Sequence, residues 1–258
     1  MLYGLKEFIK YKDLLINLTK KELQLKYKNS VLGFLWSFLH PLLMLVIYTI
    51  AFKVILKIPI ENFSLFVFTG LLPWLFFQGS ISQSTNSIVN NSSLIQKVYF
   101  PREVIPLSVV LANFINFLIT MIILFFALIF YKFTFSSAFL ILPIVLLINL
   151  LSTTGLSFFL SSFTVKYRDI AHLIEVLFMV LFYLTPIIYS LTMVPEPYRS
   201  VILANPMTSI IEMYRSILLD GKIPSYELLL SGILYSVIIF VLGLVIFKKR
   251  EKNFAEEI

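Results

Sequence analysis

The chain has 258 residues, of which 59% are hydrophobic and only 14% are charged. Soluble domains contain about 45–50% apolar and about 25% charged residues, so this composition argues against a soluble fold. The chain has no cysteine, which excludes disulfides, thiolate metal sites and cysteine nucleophiles. Its formal net charge of +7 would also suit a protein that binds nucleic acid. The positions of the basic residues decide below whether such a partner is expected.

Long apolar stretches dominate the chain. A membrane-spanning helix needs about 20 mostly apolar residues to cross a hydrocarbon core of about 30 Å. Six stretches have this length: residues 31–56, 63–81, 104–131, 138–165, 170–191 and 228–247. The prolines within or beside them are interpreted as packing kinks, because neighbouring helices can satisfy the backbone groups that a proline frees. The sequence therefore predicts an all-α integral membrane protein with six transmembrane helices in a single domain, residues 1–258.

The basic residues predict the orientation of these spans. Fifteen of the 21 Lys and Arg residues fall on the side that carries both termini, and six fall on the other side. Cytoplasmic loops of membrane proteins are enriched in Lys and Arg, so both termini are predicted to be cytoplasmic. Membrane topology explains the positive charge, and no nucleic-acid partner is expected.

Residues 1–30 differ in character from the first span that follows them. Between residues 5 and 28, lysines and other polar residues recur at spacings of three and four, with apolar residues between them. This pattern predicts an amphipathic helix that lies in the cytoplasmic membrane interface. It could serve only as a lipid anchor, or it could also be a docking surface for a cytoplasmic partner. The start of the chain lacks the apolar core and cleavage site of a signal peptide.

Two further segments lie between spans. Residues 82–103 are polar and cytoplasmic in the predicted topology, and a short helix that breaks at Pro101 is expected there. Residues 192–226 form the longest segment on the outer side. Asn205 and Pro206 read as an N-cap and first helical residue, and Gly221 as a C-terminal stop. Short extracytoplasmic helices are therefore predicted before the last span, one over residues 206–219 and a turn near 197–203.

Few residues could carry catalysis or bind a metal. His40 and His172 are the only histidines, and no zinc-protease spacing includes them. His172 and Glu175 are three residues apart in the fifth span and could form a hydrogen-bonded pair or a fragment of a proton relay. The chain has no phosphate-binding loop with a following Lys and Ser or Thr. We therefore expect no catalytic residue and no metal site, and any ATP would bind to another protein.

Several motifs, in this order, carry a family resemblance. They are KYKNSVLGFLW (26–36) with HPL (40–42), TGLLPW (69–74), VYFPRE (98–103) with PLS (106–108), YRD (167–169), LTPIIY (184–189), and NPM (205–207) with Tyr214 and Arg215. The ordered series resembles the bacterial polysaccharide-export ABC permeases, the type-2 membrane subunits that export O-antigen, teichoic acid and capsular polymers. Lys26 departs from the pattern of this family, in which an arginine is common at the corresponding position.

This resemblance implies a homodimer of the permease in the bacterial inner membrane, bound to two copies of a cytoplasmic ATPase that holds ATP and Mg²⁺. The substrate would be a polysaccharide such as O-antigen on undecaprenyl diphosphate or a similar lipid, moving between the two copies along the first and fifth spans. The N-terminal helix and residues 82–103 would contact the ATPase, and the segment 192–226 would help to close the exit.

The resemblance also suggests roles for particular residues. The candidates for ATPase coupling are Asn86, Gln96, Lys97, Val98, Tyr99, Arg102 and Glu103. The candidates for the substrate path are Tyr48, Phe52, Tyr183 and Tyr189. The candidates for the cytoplasmic entrance are Lys26, Lys28, Arg168 and Asp169, and those for the outer gate are Pro206, Met207, Tyr214 and Arg215.

Two other functions were considered from the residues alone. A membrane enzyme acting on lipids would need a cluster of His, Asp or Glu at one depth, and the sequence suggests none. An ion-coupled secondary transporter would favour internal repeats or several buried charges, for which only His172 and Glu175 are candidates.

Overall fold

The computed structural model describes residues 10–28, 30–133 and 136–257, and the regular elements within these residues are all helical. The α-helices of the described chain are α1 Lys12–Tyr27, α2 Trp36–Tyr48, α3 Phe63–Thr85, α4 Ser87–Asn90, α5 Ser92–Lys97, α6 Val104–Phe130, α7 Leu142–Thr164, α8 Ile170–Leu184, α9 Glu196–Leu203, α10 Pro206–Leu218, α11 Tyr226–Arg250 and α12 Phe254–Glu257. Short 3₁₀ turns precede α2 and α7, and a π-helix, Thr49–Ile55, continues α2.

Five continuous helical stretches are long and apolar enough to cross a membrane. They are Gly33–Ile55, Phe63–Thr85, Val104–Phe130, Ser137–Thr164 and Tyr226–Asn253. They coincide with five of the six predicted spans and support an all-α protein that crosses the membrane several times. The remaining predicted span corresponds to α8, which has only 15 residues. The count of six therefore stays a prediction.

The C-terminal end of α8 lies earlier in the chain than the sequence suggested. The helix ends at Leu184, whereas the predicted span continues to residue 191, so the last part of that stretch is not helical. Thr185 is extended, because it precedes Pro186 and a residue before a proline disfavours the helical conformation. The chain then turns back into the bundle, where Ile187 and Ile188 are buried. In the sequence, these two residues belong to the same apolar stretch as α8.

Helix α3 lies at the centre of the bundle. Of its most apolar 18-residue window, 72% is buried, against 6% for the stretch that contains α2. It packs against α2, α6, α7, α8 and α10. Trp74 of α3 is fully buried and contacts the rings of Phe178 and Phe182 on α8. Helix α2 and the outward side of α8 have apolar surfaces that the described residues do not cover.

A second, smaller core includes residues of α1 and α12, and we call it the basal core. It draws residues from both ends of the described chain and from the segment between α3 and α6. Its members are Leu18, Ile88, Ile95, Phe100, Val104, Ile105, Phe158, Val165, Phe247 and Phe254. The expected helix within residues 82–103 is confirmed as two short helices, α4 and α5, which end before Pro101.

The N-terminal helix and the helices within residues 192–226 agree with the sequence interpretation. Helix α1 confirms a helix before the first span, although residues 1–9 lie outside the described residues. The side chain of Asn205 caps α10 by accepting a hydrogen bond from the backbone nitrogen of Met207 at 3.0 Å. Gly221 follows this helix with a φ of 62°, in the left-handed region where glycine is favoured. The predicted turn near residues 197–203 is helix α9.

Candidate functional site: a polar cavity, a coupling segment and an aromatic group

A cavity of about 560 Å³ lies among α1, α2, α3 and α6. Its wall mixes apolar side chains with an unusual number of polar ones for the interior of a membrane protein. The polar and basic lining residues are Lys26, Tyr27, Ser37, His40, Gln78, Ser82, Gln83, Asn113, Asn116 and Thr120. Polar groups within membrane bundles commonly mark ligand or ion paths, so this cavity is a candidate binding site.

Lys26 projects into this cavity. Its ammonium donates a hydrogen bond to Asn113 Oδ1 at 3.1 Å, and Asn113 Nδ2 donates to Gln83 Oε1 at 2.9 Å. The residue is exposed as a whole, but burial around its ammonium lowers the pKa of Lys26. An ammonium held by the Asn113 amide would suit an anionic ligand, and the entrance role of Lys26 stays a prediction. Asn113 and Gln83 were missed from the sequence, since isolated amides in apolar helices carry no spacing pattern.

Tyr27 joins three helices beside Lys26. Its hydroxyl donates to Asn116 Oδ1 of α6 at 2.7 Å and is hydrogen-bonded to the hydroxyl of Ser37 on α2. Burial raises the pKa of Tyr27, so the phenol stays protonated and can donate. These bonds fix the C-terminal end of α1 against the bundle.

The other three entrance candidates are not part of the cavity wall. Lys28 caps the C-terminal end of α1 and is exposed. Arg168 and Asp169 are exposed beside the N-terminal end of α8. The structure therefore does not gather the four predicted residues into one site, and only Lys26 contacts the cavity.

Residues 86–103, which we call the coupling segment, divide into an exposed part and an anchored part. Gln96, Lys97, Val98 and Tyr99 are all exposed, and the side chain of Tyr99 is 91% exposed. Phe100, the next residue, is buried in the basal core. Asn86 is half-buried at the end of α3 and lines a second polar cavity beside α1. An exposed apolar and aromatic tip next to a buried anchor is suited to contact with another protein.

Arg102 and Glu103 are half-buried and contact the C-terminal end of α11. Arg102 Nη1 donates to the backbone oxygen of Glu251, and Glu103 Oε1 lies 2.6 Å from Lys248 Nζ. Lys248 Nζ also lies 3.3 Å from Glu251 Oε1. Lys248 and Glu251 were missed as site residues, because the sequence suggested only that Lys248 belongs to a basic terminus.

The four predicted substrate-path residues lie together where α2 meets α8. The ring of Tyr48 stacks on Phe182 with centroids 5.4 Å apart and contacts Phe52 at 6.3 Å. The hydroxyl of Tyr189 donates to the backbone oxygen of Tyr183 at 3.1 Å. Tyr183 is 61% exposed on the side that this chain leaves uncovered. Stacked rings of this kind can hold sugars by apolar contact, but the path itself stays a prediction.

The predicted outer-gate residues are mostly buried in the bundle. Met207 and Tyr214 belong to the main core, and Pro206 is half-buried at the start of α10. Arg215 donates to Glu212 Oε1 and to the backbone oxygen of Ile187, both at 2.8 Å, and its guanidinium lies 3.6 Å from the ring centre of Phe66. Burial lowers the pKa of Arg215 to about 10, while Glu212 opposes the shift, so the residue stays charged at neutral pH.

His172 and Glu175 lie on the exposed face of α8. Over the described ranges of the chain, His, Asp and Glu residues form no group of three that could hold a metal ion.

Comparison with known proteins agrees with this architecture. The model of the ABC-2 type transporter family matches residues 13–219. The chain belongs to this family. It is 35% identical to the O-antigen export system permease protein RfbA of Myxococcus xanthus, over the full length of both proteins. It is 36% identical to the protein of that name from Klebsiella pneumoniae, over 95% of this chain and 94% of the relative. The polysialic acid transport protein KpsM of Escherichia coli is 24% identical, over 90% of this chain and 91% of that protein.

Membership of the ABC-2 family confirms the resemblance found in the sequence motifs. The chain is a membrane subunit of a transporter, and in this family a separate subunit hydrolyses ATP. The prediction that this chain is not an enzyme is confirmed on that ground. The individual roles predicted for the coupling, path, entrance and gate residues stay predictions.

Proposed function

We propose that this chain is the permease subunit of an ATP-driven exporter that carries a lipid-linked polysaccharide across the bacterial inner membrane. The observation that carries the proposal is the full-length identity of 35% to an O-antigen export permease, with similar identity to two further relatives of that name. The cargo is an O-antigen or a related polymer on undecaprenyl diphosphate or a similar lipid. Teichoic acid is the alternative polymer.

The working complex contains two copies of this permease and two copies of a cytoplasmic ABC ATPase, which binds ATP and Mg²⁺. Each permease crosses the membrane six times, with α8 and the residues after it as the fifth span, and both termini are cytoplasmic. The uncovered apolar sides of α2 and α8 support the second copy, since Val46, Val176 and Tyr183 are each at least half exposed. The aromatic group around Tyr48 would then face the passage between the copies.

The polar cavity supports an entrance for the charged end of the substrate. Lys26 places an ammonium against the Asn113 amide between α1 and α6, where a phosphate group could form charge-assisted hydrogen bonds. The glycan would follow along the aromatic group, whose rings offer apolar faces without selecting one linkage. Residues 192–226 would close the outer end.

The experiment is reconstitution of the purified permease with a candidate ABC ATPase in lipid vesicles. We expect the two proteins to copurify, ATP hydrolysis to depend on the ATPase, and lipid-linked glycan to cross the bilayer only when both are present. A vesicle containing the ATPase and an unrelated membrane protein is the control. Hydrolysis of ATP by the permease alone, or glycan movement driven by an ion gradient without the ATPase, would contradict the proposal.

A further inference from the structure

The coupling segment is fastened to the C-terminal end of α11 by four charged residues, Arg102, Glu103, Lys248 and Glu251, which we call the basal clamp. Glu103 and Lys248 form an ion pair at 2.6 Å, and Arg102 bonds the backbone oxygen of Glu251. Lys248 also pairs with Glu251 at 3.3 Å. The two positive and two negative groups balance, so the cluster is neutral as a whole.

The clamp is protected from water on its acidic side. The side chain of Glu103 is 13% exposed and that of Glu251 is 22% exposed. One oxygen of each carboxylate, Oε2, is buried and makes no hydrogen bond within the described structure. The carboxylates of Glu103 and Glu251 repel each other, and the shared Lys248 offsets this repulsion. Removal of Lys248 would leave the two partly buried carboxylates without it, so Lys248 is essential to the clamp.

Apolar packing supports the clamp from the adjacent basal core. Phe247, next to Lys248, is fully buried, and its ring contacts Phe158 and Phe254 at 5.4 Å each. Helix α12, which begins at Phe254, contacts α5 of the coupling segment. Arg250 donates to the backbone oxygen of Ser162 at 3.2 Å and lies over the ring of Phe163. The end of α11 is thus held against both the coupling segment and α7.

Helix α11 continues without interruption from the clamp to the outer helix α10. Gly232 faces Met213 of α10 so closely that an added Cβ would lie 2.6 Å from the Met213 methyl carbon. Lys248 lies sixteen residues after Gly232, a distance of about 24 Å along the helix at 1.5 Å per residue. One rigid helix therefore touches the coupling segment at one end and α10 at the other.

We propose that the basal clamp joins the coupling segment rigidly to α11. Helix α11 then transmits movement of the coupling segment to the outer half of the permease. In this arrangement Arg102 and Glu103 are positioning residues that hold the segment to α11, while the exposed tip around Tyr99 makes the contact with the ATPase. The inference rests on the proposed function, because it requires an ATPase that pushes on the segment. Coupling between distant sites travels through packed side chains, ion pairs and rigid elements of this kind.

The test is a charge reversal and its rescue in the reconstituted complex. Glu103→Lys and Lys248→Glu each break the pair, and the double variant E103K/K248E restores it in the opposite sense. Lys249→Glu is the matched control, since it makes the same charge change on an exposed neighbour in α11. The readout is glycan exported per ATP hydrolysed, measured on the assembled complex of each variant, together with the yield of that complex.

We expect each single reversal to lower the glycan-to-ATP ratio roughly tenfold, within the range of about 5- to 150-fold typical of coupling between sites. The double variant recovers most of the ratio, and Lys249→Glu leaves it unchanged. Glu103→Gln, a milder change of nearly the same shape, should lower the ratio in the same direction even where the reversals assemble poorly. The proposal is overturned if the assembled variants keep the wild-type ratio and lose only yield. Failure of the wild-type complex to export glycan would instead contradict the proposed function.

Discussion

The backbones of Gly155 on α7 and Gly243 on α11 touch directly. A Cβ added at Gly243 would lie 2.0 Å from the backbone oxygen of Gly155, and one added at Gly155 would lie 2.5 Å from the backbone oxygen of Ile239. No side chain fits between the two helices at this point. Small residues at helix interfaces allow such an approach, and van der Waals packing then holds helices together in a membrane.

This contact predicts that Gly243→Ala separates α7 from α11. Because the obstructing atoms belong to the backbone, the helices must move apart, at a cost of about 1–3 kcal/mol or more for an overpacked interior. A lower melting temperature of the detergent-solubilised permease is the expected result. Gly79→Ala is the control, since a Cβ there meets nothing within 4 Å and removing a helical glycine stabilises by about 0.5–1 kcal/mol. Equal melting of both variants would contradict the close contact.

We predict a large loss of stability when the side chain of Arg215 is truncated. Arg215 is only 4% exposed and contacts Glu212, Ile187 and Phe66. Arg215→Ala would therefore leave the Glu212 carboxylate and the backbone oxygen of Ile187 without their donor. Breaking a buried pair costs about 3–5 kcal/mol. Arg199→Ala, which removes a half-buried arginine bonded to the backbone oxygen of Val194, should cost about 1 kcal/mol. Thermal unfolding of both variants measures the difference, and a similar small loss at Arg215 would refute the prediction.

Tyr99 predicts a defect in association without a defect in folding. Its side chain contributes almost nothing to the fold of this chain, so Tyr99→Ala should change stability by no more than about 0.5 kcal/mol. Loss of an exposed aromatic anchor should lower the amount of ATPase that copurifies. Phe100→Ala provides the contrast, because it empties part of the basal core and should cost about 3–5 kcal/mol. Unchanged copurification of Tyr99→Ala would exclude Tyr99 as an anchor.

Lys26 predicts a pH dependence of stability. Burial lowers the pKa of its ammonium below the usual 10.5, so the unfolded chain binds this proton more tightly than the folded protein does. The charge therefore costs stability below the folded-state pKa, and that cost disappears as the pH rises towards 10.5. The stability of the wild type relative to Lys26→Gln should rise with pH in this alkaline range. Thermal unfolding at neutral pH and near pH 10 measures it, and a pH-independent difference would contradict the burial of the ammonium.

Local features of the fold were predictable because short segments carry their own signals. The cap at Asn205 and the glycine stop at Gly221 marked α10 almost to the residue. The apolar lengths located five spans, since crossing a hydrocarbon core needs a continuous apolar helix. The end of the helix at Leu184 was not predictable in this way, because hydropathy cannot tell the buried loop residues Ile187 and Ile188 from residues of a spanning helix.

The sequence by itself determined that this is an α-helical membrane protein of the ABC-2 family, because hydropathy, caps and motifs depend only on near neighbours in the chain. Only the tertiary structure decided which distant groups meet. Lys26 bonds Asn113 across 87 residues, and Arg102 bonds Glu251 across 149. Such pairs depend on the packing angles and axial positions of whole helices, which arise from many weak contacts and leave no pattern around either partner.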